Sequence, residues 1–147
     1  MNTFVIDASI AIKWVVEEDG TAQALLLRQA KLLAPDLLIA ECASVLWKKV
    51  GRREMSRQEA LLAARLLQGA DVELLPTKSL LETAARIAID LDHPAYDCVY
   101  LALAAANSCP FVTADRRFLR KLKQSGRNTF RASAVSLEDS SRLSPRG

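Results

Sequence analysis

Four acidic residues lie in apolar stretches of the sequence that contain no lysine or arginine, namely Asp7, Glu41, Asp97 and Asp115. For Asp97, a helix through 96–106 would place Tyr100 and Leu101 on the same face, so the carboxylate should point toward the core. A single buried carboxylate is costly unless a positive charge meets it. Helix capping or a distant ion pair can explain one or two of these residues, but all four together favour convergence on a cation.

The four acids also fall where an α/β sheet would bring them together. Asp7 and Asp115 each follow a predicted strand, and Asp97 begins a predicted helix. Open α/β sheets bind ligands at the carboxyl ends of their strands. Carboxylate oxygens with no His or Cys cluster nearby favour Mg²⁺ or Mn²⁺ over Zn²⁺. Such a site supports metal-assisted hydrolysis of a substrate that carries phosphate.

The elements that must position these residues alternate between strands and helices. Predicted strands cover 3–6, 72–77, 111–114 and 129–135. The first predicted helix follows Ser9, and the next two cover 21–33 and Asp36 to about Val50. Two more begin at capping boxes and run from Ser56/Glu59 to Gly69 and from Ser79/Glu82 to about Leu91. The last two run through Asp97 to about Asn107 and from Asp115 to Gly126. This alternation predicts an α/β fold with a largely parallel sheet and helices on both faces.

Length and composition suit one compact domain. The chain has 147 residues, half of them hydrophobic, and its net charge of +3 says little about partners. We expect residues 1–140 to form the domain and 141–147 to be a frayed tail. Cys42, Cys98 and Cys109 have no metal-like spacing and are interpreted as free thiols in a reducing cytosol. No signal peptide or membrane-spanning run is evident, so a soluble, cytoplasmic protein is expected.

Four motifs resemble those of the PIN domain: FVIDAS, AECASVL, YDCVYLALA and VTADRRF, which contain the four acids in order. The chain length and motif spacing are most similar to the VapC toxins of type II toxin–antitoxin pairs. The resemblance implies a Mg²⁺- or Mn²⁺-dependent endoribonuclease with a three-layer α/β/α fold around a short, mostly parallel sheet. It also implies a homodimer that is silenced by a VapB-like antitoxin bound near the active site.

By position, the resemblance implies that the four acids form the active-site pocket. Asp7 and Asp97 would be direct metal ligands, and the other two acids would act through water or hold a second ion. Ser9 and Thr113 would hydrogen-bond the carboxylates or their waters, although ordinary capping explains them equally well. Many family members carry a further acid two positions after the T-x-D aspartate, where this chain has Arg117. A single metal ion is therefore favoured.

The segment RRFLRKLKQSGRNTFR (116–131) contains seven basic residues and no acid, and it begins directly after Asp115. A basic helix there would offset the repulsion between an acidic pocket and a polyanion and would hold the RNA backbone across the metal ion. The candidate RNA-binding residues are Arg116, Arg120, Lys121 and Lys123. A solvated helix face is the alternative reading of this pattern.

Other residues have simpler interpretations. His93, the only histidine, is expected to be a solvated or capping loop residue, and Asp92 a solvated one. Trp14 and Trp47, with Leu46 and Val50, are expected to pack in the core or, alternatively, to form an apolar groove for an antitoxin helix.

Two further functions compete with the toxin hypothesis. The chain could be a housekeeping PIN nuclease that processes RNA without an antitoxin. It could also be a non-catalytic RNA-binding regulatory domain that kept the fold. The complete set of four acids argues against the second alternative.

Overall fold

A single parallel sheet of five strands organises the molecule. The computed structural model describes residues 2–125 and 133–143. Within these ranges the strands are β1 (Thr3–Ile6), β2 (Lys31–Pro35), β3 (Glu73–Leu75), β4 (Phe111–Thr113) and β5 (Ala134–Ser136). Their order is β3-β2-β1-β4-β5, and every neighbouring pair is parallel. The predicted parallel α/β sheet is confirmed.

Helices flank the sheet on both faces and complete the three layers. They are α1 (Ala8–Ala11), α2 (Thr21–Leu27), α3 (Leu37–Gly51), α4 (Arg57–Gln68), α5 (Leu81–Leu91), α6 (Ala95–Ala106), α7 (Arg116–Gln124) and α8 (Leu137–Ser140). Short 3₁₀ turns at Ile12–Trp14 and Lys78–Leu80 follow α1 and precede α5. No helix in the described ranges is both long and apolar enough to cross a membrane.

The centre of the core lies between β1, β4 and α6. The strands are nearly continuous apolar runs, as parallel strands covered on both faces must be. Helix α6 is also apolar on most of its circumference, and its residues 100–104 are buried. The ring of Tyr100 stacks on that of Phe111 with a centroid distance of 5.5 Å. This packing anchors α6 and thereby fixes the position of Asp97 in its first turn.

One predicted helix is partly wrong. The interpretation of 21–33 as a single helix fails because α2 ends at Leu27 and the chain re-enters the sheet as β2. Residues 32–35 are buried between β1 and β3. Helix propensity in this leucine-rich run is overridden by sheet pairing that only the tertiary structure supplies.

The predicted helix caps have mixed outcomes. The Ser56/Glu59 capping box forms as expected. The Ser79/Glu82 box does not, because the 3₁₀ turn shifts the start of α5 and Leu80 becomes its N-cap. Ser9 is not an N-cap, since α1 already begins at Ala8.

The structure describes only part of the C-terminal region, to which the last predicted strand and the domain boundary belong. Of the last predicted strand, residues 129–132 lie outside the described ranges, while β5 covers Ala134–Ser136. The proposed domain boundary at residue 140 stays a prediction because 144–147 also lie outside these ranges. The three cysteines are free thiols, two of them buried, as expected.

Candidate active site

Asp7 is held at the carboxyl end of β1 by three hydrogen-bond donors. Its side chain caps α1, where Oδ1 accepts from the Ile10 N–H at 3.3 Å. The same oxygen accepts from the Ser9 hydroxyl at 2.5 Å, and Oδ2 accepts from the Thr113 hydroxyl at 2.6 Å. The residue is only 5% exposed. The carboxylate is therefore buried in one fixed orientation.

The same hydroxyl groups join the ends of two strands. The Thr113 hydroxyl also accepts from the Asp115 N–H at 3.1 Å, and the Ser9 hydroxyl accepts from the Ala114 N–H at 3.0 Å. These bonds are possible because β1 and β4 are parallel neighbours, so their carboxyl ends meet at one edge of the sheet. The D-x-S and T-x-D motifs thus form one hydrogen-bonded unit.

Asp97 and Asp115 face each other beside His93. The His93 Nε2 lies 2.6 Å from Asp97 Oδ2. One ligand atom from each of these three residues lies within 4.8 Å of the other two. Asp115 is also the N-cap of α7, where its Oδ1 accepts from the Phe118 N–H at 3.0 Å. The position of Asp115 therefore depends on the start of α7.

Glu41 enters the pocket from the second turn of α3. Within residues 2–125 and 133–143, its Oε1 is buried without a hydrogen-bond partner, and so is the hydroxyl of Tyr100. Burial raises the pKa of Glu41, and the nearby Tyr100 hydroxyl offsets part of that rise, although the two groups do not meet in ordinary hydrogen-bond geometry. A buried carboxylate oxygen without a partner is costly, so a cation or a water bound to a cation would satisfy it.

The acidic side chains of the pocket shift one another's pKa values and lack a basic partner in the part of the chain that the structure describes. Burial raises the pKa of Asp7 to about 7; the bonds from Ser9 and Thr113 oppose that rise, and the charges of Asp97 and Glu41 add to it. Burial also raises the pKa of Asp97, against the hydrogen bond from His93. Among the described residues, no lysine or arginine forms an ion pair with any of the four acids. The oxygen donors, the orphaned Glu41 atom and the uncompensated charge together fit Mg²⁺ or Mn²⁺.

The chain matches a known family over most of its length. A family model described as PIN domain matches residues 4–123. The chain belongs to the PIN domain family. Its motif-based resemblance is thereby confirmed.

Sequence relatives of this PIN domain include named ribonucleases. VapC ribonuclease Mb0985 of Mycobacterium bovis is 34% identical over 113 residues, which cover 77% of this chain and 86% of the relative. Ribonuclease VapC9 of Mycobacterium tuberculosis has the same identity and coverage. The similarity therefore extends over most of both proteins.

Solved structures share the fold of this PIN domain. The crystal structure of PAE2754 from Pyrobaculum aerophilum has a TM-score of 0.71 at 22% identity and covers 97% of this chain and 89% of its own. The structure of Mycobacterium tuberculosis VapC20, a sarcin-ricin loop cleaving toxin, has a TM-score of 0.61 at 15% identity and covers 78% and 92%. At these identities the two structures support the fold alone.

The structure brings most of the predicted site residues of the PIN domain to one edge of the sheet. The four acids, Ser9 and Thr113 lie there, and their catalytic roles stay predictions. The candidate RNA-binding residues differ from one another in their contacts and exposure. Lys121 Nζ donates to the Asp92 carbonyl at 2.6 Å, and Arg116 lies 3.7 Å from Glu138. Arg120 and Lys123 are exposed on α7.

His93 is the site residue that sequence reasoning missed. The expectation that it is solvated is wrong, because its side chain is 6% exposed and its ring centroid lies 5.0 Å from that of Phe118. Its position four residues before Asp97 was the sequence feature that could have indicated their contact. Pro94 stands between them as the N-cap of α6, so the sequence did not show that His93 turns back toward the helix.

Removing the His93 side chain should weaken metal binding. Among the described residues, His93 Nδ1 is buried without a partner, so the ring proton is assigned to Nε2, which donates to Asp97 Oδ2. Loss of a partner that orients a metal ligand typically costs about 10- to 100-fold in affinity. We expect that loss of Mn²⁺ affinity for His93→Ala, measured by titration calorimetry.

His93→Gln is the matched control, since its amide can still donate to Asp97. Partial recovery of Mn²⁺ affinity is expected for this variant. Thermal denaturation of both metal-free variants separates loss of orientation from loss of folding. Equal Mn²⁺ affinity of the wild type and His93→Ala would show that Asp97 needs no such support.

Proposed function

We propose that this PIN domain is a metal-dependent endoribonuclease and the toxin of a toxin–antitoxin pair, which hydrolyses phosphodiester bonds in RNA. The observation that carries the proposal is the convergence of four carboxylates at one sheet edge without a lysine or arginine partner among the described residues. Relatives named VapC ribonuclease support the activity. The acids support the choice of a divalent cation as cofactor.

Asp7 and Asp97 are the proposed ligands of one Mg²⁺ or Mn²⁺ ion. Such an ion, when bound, supplies Lewis-acid activation of water and of a phosphodiester oxygen. Ser9 and Thr113 hold the Asp7 carboxylate in place. Glu41 and Asp115 would hydrogen-bond water at this site when the ion is bound. Arg117 follows the T-x-D aspartate by two positions and supplies no further carboxylate, so one ion is proposed rather than two.

Helix α7 is the proposed contact for the RNA backbone. It begins at the pocket, since Asp115 is its N-cap, and Arg120 and Lys123 are exposed on it without an ion-pair partner among the described residues. Each neutralised single-strand phosphate contributes about −0.7 to the slope of log affinity against log salt. Replacing both residues with Gln should therefore flatten the slope by about 1.4 for all RNA sequences alike.

Lys31→Gln is the matched control for the salt dependence of RNA binding. Lys31 begins β2, at the edge of the sheet opposite the acidic pocket. The control should keep the wild-type slope. A slope that stays unchanged in the double variant would place the RNA backbone elsewhere.

The proposed antitoxin binds an apolar cavity of about 400 Å³ between α3, α4 and β3. Trp14 and Leu46 line it together with the apolar faces of both helices. An amphipathic helix would bury such a surface. The expectation that Trp47 packs in the core is wrong, because it is 71% exposed, and neither Trp47 nor Val50 lines this cavity. We also propose that the protein forms a homodimer.

Two experiments test the function. Purified protein should cleave single-stranded RNA with Mg²⁺ or Mn²⁺, lose cleavage in EDTA, and regain it when the cation is added back. Induced expression should arrest growth and create new RNA 5′ ends, and coexpression with the neighbouring gene product should relieve the arrest. Cleavage that continues in EDTA would exclude the metal mechanism, and harmless expression without a partner would exclude the toxin role.

A further inference from the structure

A second cavity opens directly beside the acidic pocket and shares Glu41 with it. Its volume is about 460 Å³. Ser44 and Lys48 follow Glu41 along α3 and line it, and Tyr96 borders it from the first turn of α6. Residues three, four and seven apart lie on one helix face, so α3 presents its acid, hydroxyl and ammonium groups in a row.

We propose that this cavity, the α3–Tyr96 subsite, binds a nucleotide of the RNA next to the scissile phosphate. The assignment rests on the proposed ribonuclease function and adds a place for the substrate. The base stacks on Tyr96, the Ser44 hydroxyl hydrogen-bonds a polar group of the nucleotide, and Lys48 contacts a phosphate. The size lies within the range of about 300–1,000 Å³ that small-ligand sites occupy.

Tyr96 has the properties of a stacking platform. It is 64% exposed, and its ring packs against no other aromatic ring in the described part of the chain. It lines the same cavity as Glu41, so a base on its ring lies beside the acidic pocket. Bases stack on exposed aromatic side chains with little sequence preference.

Lys48 supplies the positive charge that a polyanion needs near four carboxylates. It is exposed and has no ion-pair partner among the described residues. It follows Glu41 by seven positions on the helix, which is about 10 Å along the axis. That distance leaves room for one nucleotide between the acidic pocket and the ammonium group.

The lining distinguishes this cavity from a protein-binding groove. Apolar side chains of Leu37, Ala40 and Val45 form part of it, but one cation, one acid and two hydroxyl-bearing residues complete it. The cavity between α3 and α4 is instead lined by apolar residues and one amide, without a charged group. A nucleotide, which combines a flat base with a phosphate, matches the mixed lining.

Binding of a labelled pentaribonucleotide, followed by fluorescence anisotropy in Ca²⁺ to slow cleavage, tests the subsite. Tyr96→Ala should weaken binding roughly 5- to 150-fold, the usual cost of losing one stacked base. Tyr96→Phe keeps the ring and should bind within about twofold of the wild type. Lys48→Gln should flatten the salt slope by about 0.7.

Trp47→Ala and Lys31→Gln are the matched controls. Trp47 is an exposed aromatic residue on α3 that does not line the cavity, and Lys31 lies at the opposite sheet edge. Both controls should bind as the wild type does. Thermal denaturation confirms that each variant is folded.

The outcomes separate the subsite from the ribonuclease function. Wild-type protein that cleaves RNA, with Tyr96→Ala binding as tightly as Trp47→Ala, would overturn the subsite and leave the function standing. Wild-type protein that neither binds nor cleaves RNA would overturn the function itself. Loss of a copurifying protein partner in Tyr96→Ala with unchanged RNA affinity would show that the cavity binds protein, which also overturns the proposal.

Discussion

Asp7→Asn is expected to reduce RNA cleavage by more than about 100-fold and to make the metal-free protein more stable. Loss of a residue that merely orients a metal ligand costs about 10- to 100-fold, so loss of a ligand should cost more. The stabilisation follows from burial, since the residue is 5% exposed and two neighbouring carboxylates repel its charge. Asn removes the charge and keeps the shape, and the Thr113 hydroxyl can rotate to accept from the new amide.

Three measurements check this expectation: initial cleavage rates in Mg²⁺ and Mn²⁺, Mn²⁺ affinity, and urea denaturation in EDTA. Asp90→Asn is the matched control, because Asp90 is an exposed aspartate on α5. It should leave cleavage and stability near the wild-type values. Wild-type cleavage by Asp7→Asn would mean that this carboxylate is not a metal ligand.

Raising the pH should destabilise the metal-free protein by roughly 4 kcal/mol between about pH 4 and pH 7. The folded state holds the pKa of Asp7 at about 7, above its ordinary value of 3.8, mainly through burial. A raised folded-state pKa means that the stabilising contribution is complete below the ordinary value and is lost as the pH rises through about 7. Burial raises the pKa values of Glu41 and Asp97 in the same direction.

The pH effect should largely disappear when a divalent cation is present, because the cation stabilises the ionised carboxylates. Urea denaturation at several pH values, in EDTA and in saturating Mn²⁺, measures both curves. The Asp7→Asn variant isolates the contribution of this residue, since it should lose most of the pH dependence in EDTA. A metal-free wild-type protein whose stability rises from pH 4 to pH 7 would contradict the assignment.

Local patterns were enough to find the four acids and the α/β class. Each acid stands in an apolar run without a basic neighbour, and burying such a charge is so costly that its presence indicates a site. The alternation of strands and helices predicted the parallel sheet because crossover helices cover both faces. The Ser56/Glu59 capping box was equally readable, since all of its hydrogen bonds lie within four residues.

Only the tertiary structure decided which distant groups meet. Asp7 and Thr113 are 106 residues apart, and they touch because β1 and β4 pair in parallel register. The same pairing across the sheet made 31–35 a strand rather than the end of a helix. His93 was misread because its partner, Asp97 Oδ2, is set by how the 92–94 turn packs against α7, from which Lys121 donates to the Asp92 carbonyl. Residue type and local spacing show which side chains are costly to bury. The partner that offsets this cost depends on contacts between elements far apart in the chain.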